Sequence, residues 1–459
     1  MESNYDGLTY ARPTCSRENL SQKFCKLEDK YSRQYAHIYF MRSELMKNRI
    51  ESAAKKKWGA EINIKKLSDV VKGEKCCLLG TLFKIMPLQP SILKEISEEF
   101  SVPLQSERMR FTGEDDKLVL EDSMQRISLV GNIISHECFT GSIIAVLGHE
   151  SEHGQFEVED YTYPGLPPQT EIVHVPKDDE YVLFVSGLGI GAKKEKTMQI
   201  QLLIDYILGM LGGKEDHELC AKIIHVIVAG NSLSKDTLDK EFQSKAKYLT
   251  YKSEASSVKA MCDLDFFLSQ LVPFVSVDIM SGEFDPTNHV LPQKPMHPCM
   301  FPSARSFHGS TFHSVSNPYE CRIEGVHFLG TSGQNINNLY AYSTINDGLR
   351  LLSDTLQLQH LAPTAPDTLG SFPFYDIDPF IIDECPHVYF CGNQPHFASE
   401  VKLGEDGQKT LLLSIPEFSK TSCAVLLNLK DLTCEELCID VDWKEEVDNM
   451  ETDDPEPEK

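Results

Sequence analysis

The sequence predicts a mixed α and β fold, with a small β-barrel followed by a larger α/β domain. Short apolar runs separated by polar turns occupy residues 61–163, which is the pattern of a barrel of short strands. Strand-like and helix-like segments then alternate over residues 181–438, which favours a sheet covered by helices. Consecutive prolines within residues 164–180 indicate an extended linker between the two units.

Length, composition and charge exclude several classes of protein. The chain has 459 residues, of which 41% are hydrophobic and 25% charged, so a fibrous or wholly disordered protein is excluded. The formal charge of −25 argues against a protein that grips a phosphate backbone over its whole surface. Residues 439–459 hold ten acids against two lysines, and we expect an acidic disordered tail there.

Cysteine usage indicates a reducing compartment. The 14 cysteines include no Cys-x-x-Cys pair, so the spacing typical of a zinc site is missing. Cys76, Cys77, Cys391 and Cys423 lie in apolar runs, where a free thiol behaves as a small hydrophobic side chain. The N-terminus carries no apolar signal segment, and no apolar run approaches the ~18 residues of a membrane span. We therefore expect a soluble cytosolic or nuclear protein.

The first sixty residues predict a leader and one helix. Residues 1–30 have no periodicity and are expected to be disordered. Residues 31–60 predict an amphipathic helix whose apolar stripe comprises Tyr35, Ile38, Tyr39, Leu45, Met46, Ile50 and Ala53. Lys55, Lys56 and Lys57 follow. A nuclear-import signal is one interpretation of these lysines, and a solvated helix C-terminus, where cations are favourable, is the preferred one.

The barrel is predicted from five apolar runs. They are Lys75–Ile85, Leu118–Glu121, Arg126–Val130, Gly141–Leu147 and Gln155–Glu159. With a helical insertion at Ser91–Phe100, this pattern indicates a barrel of the oligonucleotide/oligosaccharide-binding (OB) type. Such barrels often bind single strands through aromatic and basic side chains. These strands offer few aromatics and many acids, so a protein-docking surface is favoured over a nucleic-acid site.

The second domain is predicted to contain seven strands and three helices. The strands are Tyr181–Val185, Ile223–Ala229, Phe274–Met280, Val326–Gly330, His387–Cys391, Leu411–Ile415 and Ala424–Leu429, and the helices are Met198–Met210, Ser253–Leu271 and Asn346–Leu356. The last two strands are expected to form an antiparallel pair because they are close in sequence.

Four glycine-containing loops follow strands of this domain, at the edge where open α/β sheets place their sites. They are Ser186–Gly189, Gly230–Leu233, Gly282–Asp285 and Gly392–Pro395. The first loop could be a dinucleotide-binding turn, but its spacing is Gly-x-Gly-x-Gly rather than Gly-x-Gly-x-x-Gly. Glycines that permit a tight turn are the favoured interpretation.

The spacing of these loops, with Gly330–Gln334 and Gln359–Pro363, resembles the calcineurin-like metallophosphoesterases. Active members hold two divalent metals with Asp-x-His, Gly-Asp, Gly-Asn-His-Asp, a lone His and Gly-His-x-His. This sequence keeps the glycines and replaces most of the ligands. The positions concerned are Ser186, Leu188, Asn231, Glu283, Phe284, Asp285, Ser332, Asn393 and Pro395, of which Glu283 and Asp285 alone could still be ligands. The resemblance therefore implies an inactive phosphoesterase-like domain with no cofactor and no metal.

Two histidines near these loops could suggest catalysis. His360 lies outside the metal ring in the resemblance, and His396 lies one position beyond the last motif. A histidine hydrogen-bonded within a loop is the favoured interpretation of each.

Longer blocks of sequence resemble the small regulatory subunits of DNA polymerase delta. They include Gly80-Thr-Leu-Phe-Lys84, Met86-Pro-Leu-Gln-Pro-Ser-Ile-Leu93, Gly282-Glu-Phe-Asp-Pro-Thr-Asn288, His297-Pro-Cys-Met-Phe-Pro302, Leu329-Gly-Thr-Ser-Gly-Gln-Asn335, Ala362-Pro-Thr-Ala-Pro-Asp-Thr-Leu-Gly370 and Pro386-His-Val-Tyr-Phe-Cys-Gly-Asn393. The blocks run from about residue 32 to about residue 430. In this family an OB domain precedes an inactive phosphoesterase domain.

The resemblance implies a nuclear, non-enzymatic scaffold in DNA replication and repair. Such a scaffold binds the cysteine-rich C-terminal region of the catalytic polymerase subunit and a third accessory subunit, and through the latter reaches the sliding clamp. DNA would be contacted weakly or through the complex, and no membrane is involved. A metal-dependent nuclease or phosphodiesterase of the same fold is the alternative, and it would need new metal ligands from elsewhere in the chain.

One loop is a candidate for partner binding. Four prolines stiffen residues 291–302, which carry Met296, Met300 and Phe301. A rigid apolar loop loses little entropy when it docks on a partner. Packing of the same loop on its own domain is an equally supported expectation.

Overall fold

The computed structural model describes residues 10–25, 33–90, 108–172, 178–238 and 256–439. The helical insertion expected at residues 91–100 and the tail from residue 440 onward lie outside these ranges. None of the helices within them is long and apolar enough to cross a membrane.

The N-terminal segment is ordered over residues 10–25, which corrects the prediction of a disordered leader there. It forms strand β1 (Arg17–Asn19) and the short helix α1 (Gln22–Cys25). Phe24 is fully buried, and Arg17 Nε lies 2.9 Å from the Oδ2 atom of the buried Asp278. Arg17 and Asp278 are 261 positions apart in the chain, so local composition cannot reveal their contact.

Helix α2 (Ala36–Trp58) follows. Its buried face repeats every fourth residue and consists of Ile38, Arg42, Met46, Ile50 and Ala54. Leu45, predicted on the buried stripe, is 45% exposed, whereas a charged residue, Arg42, takes a buried position. The last turn contains the predicted lysines, and Lys57 bonds Asp160 of the barrel at 2.7 Å.

The barrel contains the five predicted strands and one short addition. Its strands are β2 (Ile64–Lys65), β3 (Cys76–Ile85), β4 (Lys117–Glu121), β5 (Arg126–Gly131), β6 (Ile143–Glu150) and β7 (Phe156–Thr162). They run in the order β2-β3-β4-β5-β7-β6, and the pairing of β3 with β6 closes the barrel. Met46, Ile50 and Ala54 of α2 pack against its outside on β3 and β6.

The second domain has two six-stranded sheets, where the sequence predicted one. The first contains β8 (Tyr181–Val185), β9 (Ile223–Ala229), β10 (Ser276–Met280), β11 (Phe312–Val315), β17 (Cys423–Asn428) and β18 (Cys434–Cys438). The second contains β1, β12 (Tyr319–Ile323), β13 (Val326–Thr331), β14 (Val388–Gln394), β15 (Ala398–Leu403) and β16 (Lys409–Pro416).

The two sheets pack face to face, with an apolar core between them that includes Phe184, Ile227, Phe328 and Phe390. The last two predicted strands do not pair with each other: β16 pairs with β14 and β15, and β17 pairs with β8 and β18. A helical turn, residues 418–421, separates them and carries the chain from one sheet to the other.

Helices cover the outer face of each sheet, giving four layers. They are α3 (Thr197–Ile207), α4 (Lys214–Ala221) and α5 (Ser256–Leu271) with the first sheet, α6 (Gln334–Ala341) and α7 (Gly348–Gln357) with the second, and the turn α8 (Phe418–Thr421) between strands. Two further apolar clusters fill the space beneath these helices.

Cys423 is joined to Cys438 by a disulfide across the β17–β18 pair, so the prediction that Cys423 is a free thiol is wrong for this structure. The two cysteines are 15 residues apart in the sequence, and this spacing does not predict their pairing, because the pairing depends on the register of two strands.

Candidate functional site

The glycine-containing loops converge at one end of the two sheets, as their positions after consecutive strands predict. Four of these loops follow β8, β9, β10 and β13. The fifth, which contains Gly392, lies within the end of β14. Gly187 N donates to Gly230 O at 2.9 Å, which joins the first two loops. A Cβ atom on Gly282 would lie only 2.1 Å from the backbone N of Asn231. The loops are therefore in direct contact, and glycine is needed where they meet.

Ser186 and Asn393 form one half of this junction. The backbone N–H of Asn393 donates to Ser186 Oγ at 2.8 Å, and Ser186 Oγ donates to the carbonyl of Pro416 at 3.0 Å. Asn393 Nδ2 donates to Ser332 O at 2.7 Å. Asn393 adopts a left-handed backbone conformation (φ 57°), where the pairing of β14 with β16 shifts register. This bend directs the amide into the junction.

Asn231 and Asp285 form the other half. Asn231 also has a left-handed backbone (φ 52°), and its Oδ1 accepts from Phe284 N at 3.3 Å. Both carboxylate oxygens of Asp285 accept backbone N–H groups: Leu233 N at 2.9 Å and Gly282 N at 2.8 Å. Glu283 is exposed. Of the two acids that could still be metal ligands, Asp285 is thus buried in the junction and Glu283 is exposed to solvent.

The carboxyl group of Asp285 is buried in this junction. Burial raises its pKa to about 6, although the N–H groups that it accepts act in the opposite direction. The lone pairs directed at Leu233 N and Gly282 N are used in fixing the loop, so they are not available to a cation. Asp285 therefore ties the loops after β9 and β10 together.

Ser332 belongs to a cluster of buried amides that the sequence analysis did not identify. Its Oγ accepts from Asn317 Nδ2 at 2.7 Å, and Asn317 Oδ1 accepts from Ser332 N at 3.1 Å. Asn317 Nδ2 also donates to Gln293 Oε1 at 2.8 Å, and Gln334 Nε2 donates to the same atom at 3.2 Å. Polar residues in the blocks around Gly282 and Gly330 are the signal that could have suggested such a network.

The remaining three positions, Leu188, Phe284 and Pro395, have side chains without ligand atoms, and Phe284 is partly buried. Leu188 is buried in the core under α3, and Pro395 is exposed. The converging loops consequently present hydroxyl and amide groups bonded to one another. Within the described ranges, three potential ligand atoms of His, Cys, Asp or Glu come together only at Cys423, Glu436 and Cys438, and the disulfide between the two cysteines leaves no thiolate there to bind a metal ion.

The two histidines lie apart from the junction. His360 Nε2 is 2.9 Å from Asp378 Oδ2, and both residues are buried beside Arg42, so the expected hydrogen-bonded histidine is found. Burial lowers the pKa of His360. His396 is exposed, and its backbone carbonyl accepts from Ser414 Oγ at 3.0 Å.

The candidate docking loop is packed on its own domain, which is the second of the two arrangements expected for it. Met296 is 1% exposed and Phe301 0%, and both belong to the core under α5. Met300 is half-buried against the same core. The ring of Phe301 meets that of Phe312 edge-on at 5.1 Å. The prolines shape a loop that completes the core.

Two family models match the chain. Residues 34–161 match the OB-fold domain of DNA polymerase delta subunits, and residues 182–399 match the family of the B-type subunits of DNA polymerases alpha and epsilon. The first match covers α2 and the closed barrel, and the second begins within β8, the first strand after the linker.

Similar proteins cover almost the whole chain. A "DNA polymerase delta small subunit" of Arabidopsis thaliana is 41% identical over 433 residues, which span 93% of this chain and 96% of that protein. A "DNA polymerase delta subunit 2" of Drosophila melanogaster is 36% identical over 93% of this chain and 97% of its own length. A "DNA polymerase II small subunit" of Archaeoglobus fulgidus is 21% identical over 47% of this chain and 43% of its own length.

Proposed function

The chain belongs to the family of DNA polymerase delta small subunits, and we propose that it acts as the non-catalytic scaffold of that polymerase. In this role it binds the cysteine-rich C-terminal region of the catalytic subunit and, on another surface, a third accessory subunit. The third subunit connects the assembly to the sliding clamp. DNA contact is weak or indirect, and the assembly works in the nucleus.

The observation that carries the proposal is the chemistry of the converging loops. We propose that the two-sheet domain is an inactive calcineurin-like phosphoesterase. Two dications require carboxylates and imidazoles around them, because these groups supply charge or a strong donor nitrogen. Ser186, Asn231, Ser332 and Asn393 instead offer hydroxyls and amides that bond to neighbouring loops. Both carboxylate oxygens of Asp285 accept hydrogen bonds from backbone N–H groups. The residues do not fit a dimetal site.

The joint between the barrel and the second domain supports a scaffold. Arg42 of α2 reaches between them: its Nη1 donates to Gly141 O of the barrel at 3.1 Å and to Pro363 O of the second domain at 2.8 Å. Its Nη2 donates to Ala365 O at 2.8 Å. A protein that holds two partners in fixed positions benefits from a joint of this kind, since preorganised surfaces bind at lower entropic cost.

Acidic side chains on the barrel support a protein-docking role over single-strand binding. Glu159 and Asp160 face Lys75 and Lys57, so part of the local basic charge is already neutralised within the chain. A surface that binds single strands instead needs unpaired cations and stacked aromatics.

Co-expression with the C-terminal region of a delta-type catalytic subunit tests the proposal. Size-exclusion chromatography is expected to show the two chains eluting together at equal stoichiometry. Separate elution of two folded proteins would contradict it. A calorimetric titration with Mn²⁺ tests the alternative of a metal-dependent phosphodiesterase, which requires tight binding at two sites; the scaffold proposal requires that none is seen.

A further inference from the structure

Three potential metal ligands lie on one face of the β17–β18 pair. Cys423 lies directly opposite Cys438 in the ladder, and Val425 lies opposite Glu436. Side chains two residues apart along a strand point to the same face of a sheet, so Glu436 shares a face with both cysteines. The two sulfur atoms and a carboxylate oxygen of Glu436 are all within 4.8 Å of one another. We call these three residues the thiol–carboxylate cluster.

The structure shows this cluster in its oxidised form, as the Cys423–Cys438 disulfide. In the nucleus and the cytosol, glutathione and similar small thiols keep most cysteines reduced. Two molecules of a small thiol give two electrons and two protons to the protein disulfide, which becomes two thiol groups, and they leave as one small disulfide. This step is the only one that rests on the proposed nuclear location.

Backbone pairing holds the two strands in register independently of the disulfide. Five residues of β17 pair with five residues of β18. Hydrogen bonds extend the pairing at both ends: Ile439 N donates to Ser422 O at 2.9 Å, and Asn428 N donates to Thr433 O at 2.9 Å. Leu437, on the other face of β18, packs on the core beneath the helices of the first sheet. The cluster should therefore stay on one face when the disulfide is reduced.

The separation of the two cysteines suits a tetrahedral metal ion. Two thiolates that bind Zn²⁺ at about 2.3 Å lie roughly 3.8 Å from each other in tetrahedral geometry. The Cα atoms of Cys423 and Cys438 are 4.1 Å apart. Opposed side chains of an antiparallel pair have Cβ atoms about 4.5–5.5 Å apart, so rotation of the side chains is enough to place both sulfurs on one ion.

The third ligand is available, and the site is open to solvent. Glu436 and Cys438 are exposed, whereas Cys423 is buried. No hydrogen bond or ion pair within the described ranges occupies the carboxylate of Glu436, in contrast to that of Asp285. A metal ion can therefore enter from solvent, and the three ligands leave the fourth position of a tetrahedral ion for a water molecule.

We infer that the reduced thiol–carboxylate cluster binds one Zn²⁺ ion through Cys423, Cys438 and Glu436, and that oxidation of the cysteines releases it. Thiolates are soft ligands that favour Zn²⁺ over Mg²⁺, Ca²⁺ and Mn²⁺. Binding displaces the two thiol protons. In the oxidation, glutathione disulfide accepts two electrons from the two thiolates, takes up two protons and becomes two thiols, while the sulfurs form the disulfide and Zn²⁺ leaves.

The site gives the edge of the first sheet a cross-link in both redox states. β18 is the last strand of that sheet, so it is paired on one side only. The disulfide joins it to β17 in the oxidised chain, and the zinc ion would join it to β17 in the reduced chain. An ion that binds only the folded state stabilises that state by mass action.

Titration of the reduced full chain with Zn²⁺ alone, after removal of the reductant without oxygen, tests the inference. Calorimetry is expected to show one site per chain that Cys438→Ser loses. Glu436→Gln should weaken this site at least about tenfold, since even residues that only orient a metal ligand are worth that much. The matched variants Cys434→Ser and Glu435→Gln, on the same strand but outside the cluster, should bind as the natural chain does.

Two further readouts identify the ligands. Co²⁺ in place of Zn²⁺ should give a thiolate-to-cobalt charge-transfer band in the natural chain and in Cys434→Ser, and no such band in Cys438→Ser. Zn²⁺ should raise the midpoint of thermal unfolding of the reduced natural chain and leave that of Cys438→Ser unchanged. If Cys438→Ser does not fold, Glu436→Gln, at an exposed position, serves the same comparison.

Several results would overturn the inference. They are equal Zn²⁺ binding by the natural chain and Cys438→Ser, equal binding by the reduced and the disulfide-bonded chain, and a disulfide that small thiols cannot reduce in the folded protein. The titration uses this chain by itself. Its outcome is therefore separate from the co-expression test, which decides whether the chain binds a catalytic subunit.

Discussion

Arg42 Nε lies 2.7 Å from Asp378 Oδ2, and both side chains are buried where helix α2, the barrel and the two-sheet domain meet. Arg42 and His360 hold the pKa of Asp378 well below its usual range, against the effect of burial, which raises it. The ion pair thus keeps a charge of each sign inside the protein. The ion pair is a fully buried link between helix α2 and the two-sheet domain.

Replacing Arg42 by methionine is expected to lower the free energy of unfolding by about 3–5 kcal/mol, because the buried Asp378 would lose its main charged partner. The carbonyl groups of Gly141, Pro363 and Ala365 would also lose their donor. Denaturant unfolding measures the change. Lys56→Met, on the same helix but paired with exposed Glu405 and Asp406, should change the free energy of unfolding far less, because solvent screens that pair. Equal losses for the two variants would contradict this account of the joint.

Asp285→Asn is expected to destabilise the second domain by about 1–3 kcal/mol, since an amide can accept only one of the two N–H groups without placing its own NH₂ against the other. The pKa of Asp285 is about 6 when folded and about 3.9 in an unfolded chain, so the folded state holds the proton more tightly. This contribution to stability is present below about pH 4 and declines as the pH rises to about 6.

Chemical unfolding of both proteins between pH 4 and 7 measures this effect, and subtraction removes the other titrating groups. The stability of the natural chain relative to Asp285→Asn should fall as the pH rises. A difference that grows over this range would show that the folded state favours the ionised carboxylate, as a metal site would, and a constant difference would show that folding does not shift the pKa of Asp285; either result would contradict this account.

Ser186→Ala should cost about 1–3 kcal/mol of stability, because the buried N–H of Asn393 loses its acceptor. DNA synthesis by the assembled polymerase should be unchanged, since Ser186 acts only in fixing loops. Ser399→Ala, in an exposed position on β15, is the control for stability. A loss of enzymatic activity in a fully assembled Ser186→Ala complex would argue that the junction has a chemical role.

Phe301→Ala is expected to cost about 3–5 kcal/mol, because its ring is fully buried against Phe312. Met300→Ala, at a half-buried position, should cost less and should leave association with the catalytic subunit unchanged. Thermal unfolding and co-elution measure the two effects. Loss of the partner by a stable Met300→Ala protein would restore this loop as a docking surface.

The positions of the barrel strands could be predicted from the sequence because they depend on local hydrophobic patterns. Two barrel strands alternate buried and more exposed residues, over residues 78–85 and 156–159, and β6 is a continuous buried run, so their positions follow from the sequence. The second sheet was missed because β13, β14 and β16 pair with one another and not with β8, β9 and β10, and the sequence pattern does not show which strands pair. The order of residues 17–25 depends on a buried aspartate in β10 and could not be derived from the leader itself.

The same distinction holds for the candidate site. Glycines at Gly187, Gly230 and Gly282 located the loops correctly, because close approach of backbones leaves a mark in the sequence. No feature of the sequence showed that the carboxylate oxygens of Asp285 accept backbone N–H groups. Whether a carboxylate is free for a metal depends on which N–H groups surround it, and those come from loops fixed by the whole fold. Arg42 did leave a signal, as a charge at helical spacing between Ile38 and Met46.

The central claim is that this protein bridges two partners, and a three-chain pull-down tests it most directly. A tagged delta catalytic subunit is co-expressed with the third accessory subunit, with and without this chain, and the retained proteins are quantified. The account predicts that the accessory subunit is retained at equal stoichiometry only when this chain is present. Full retention in its absence, or none in its presence, would contradict the scaffold function.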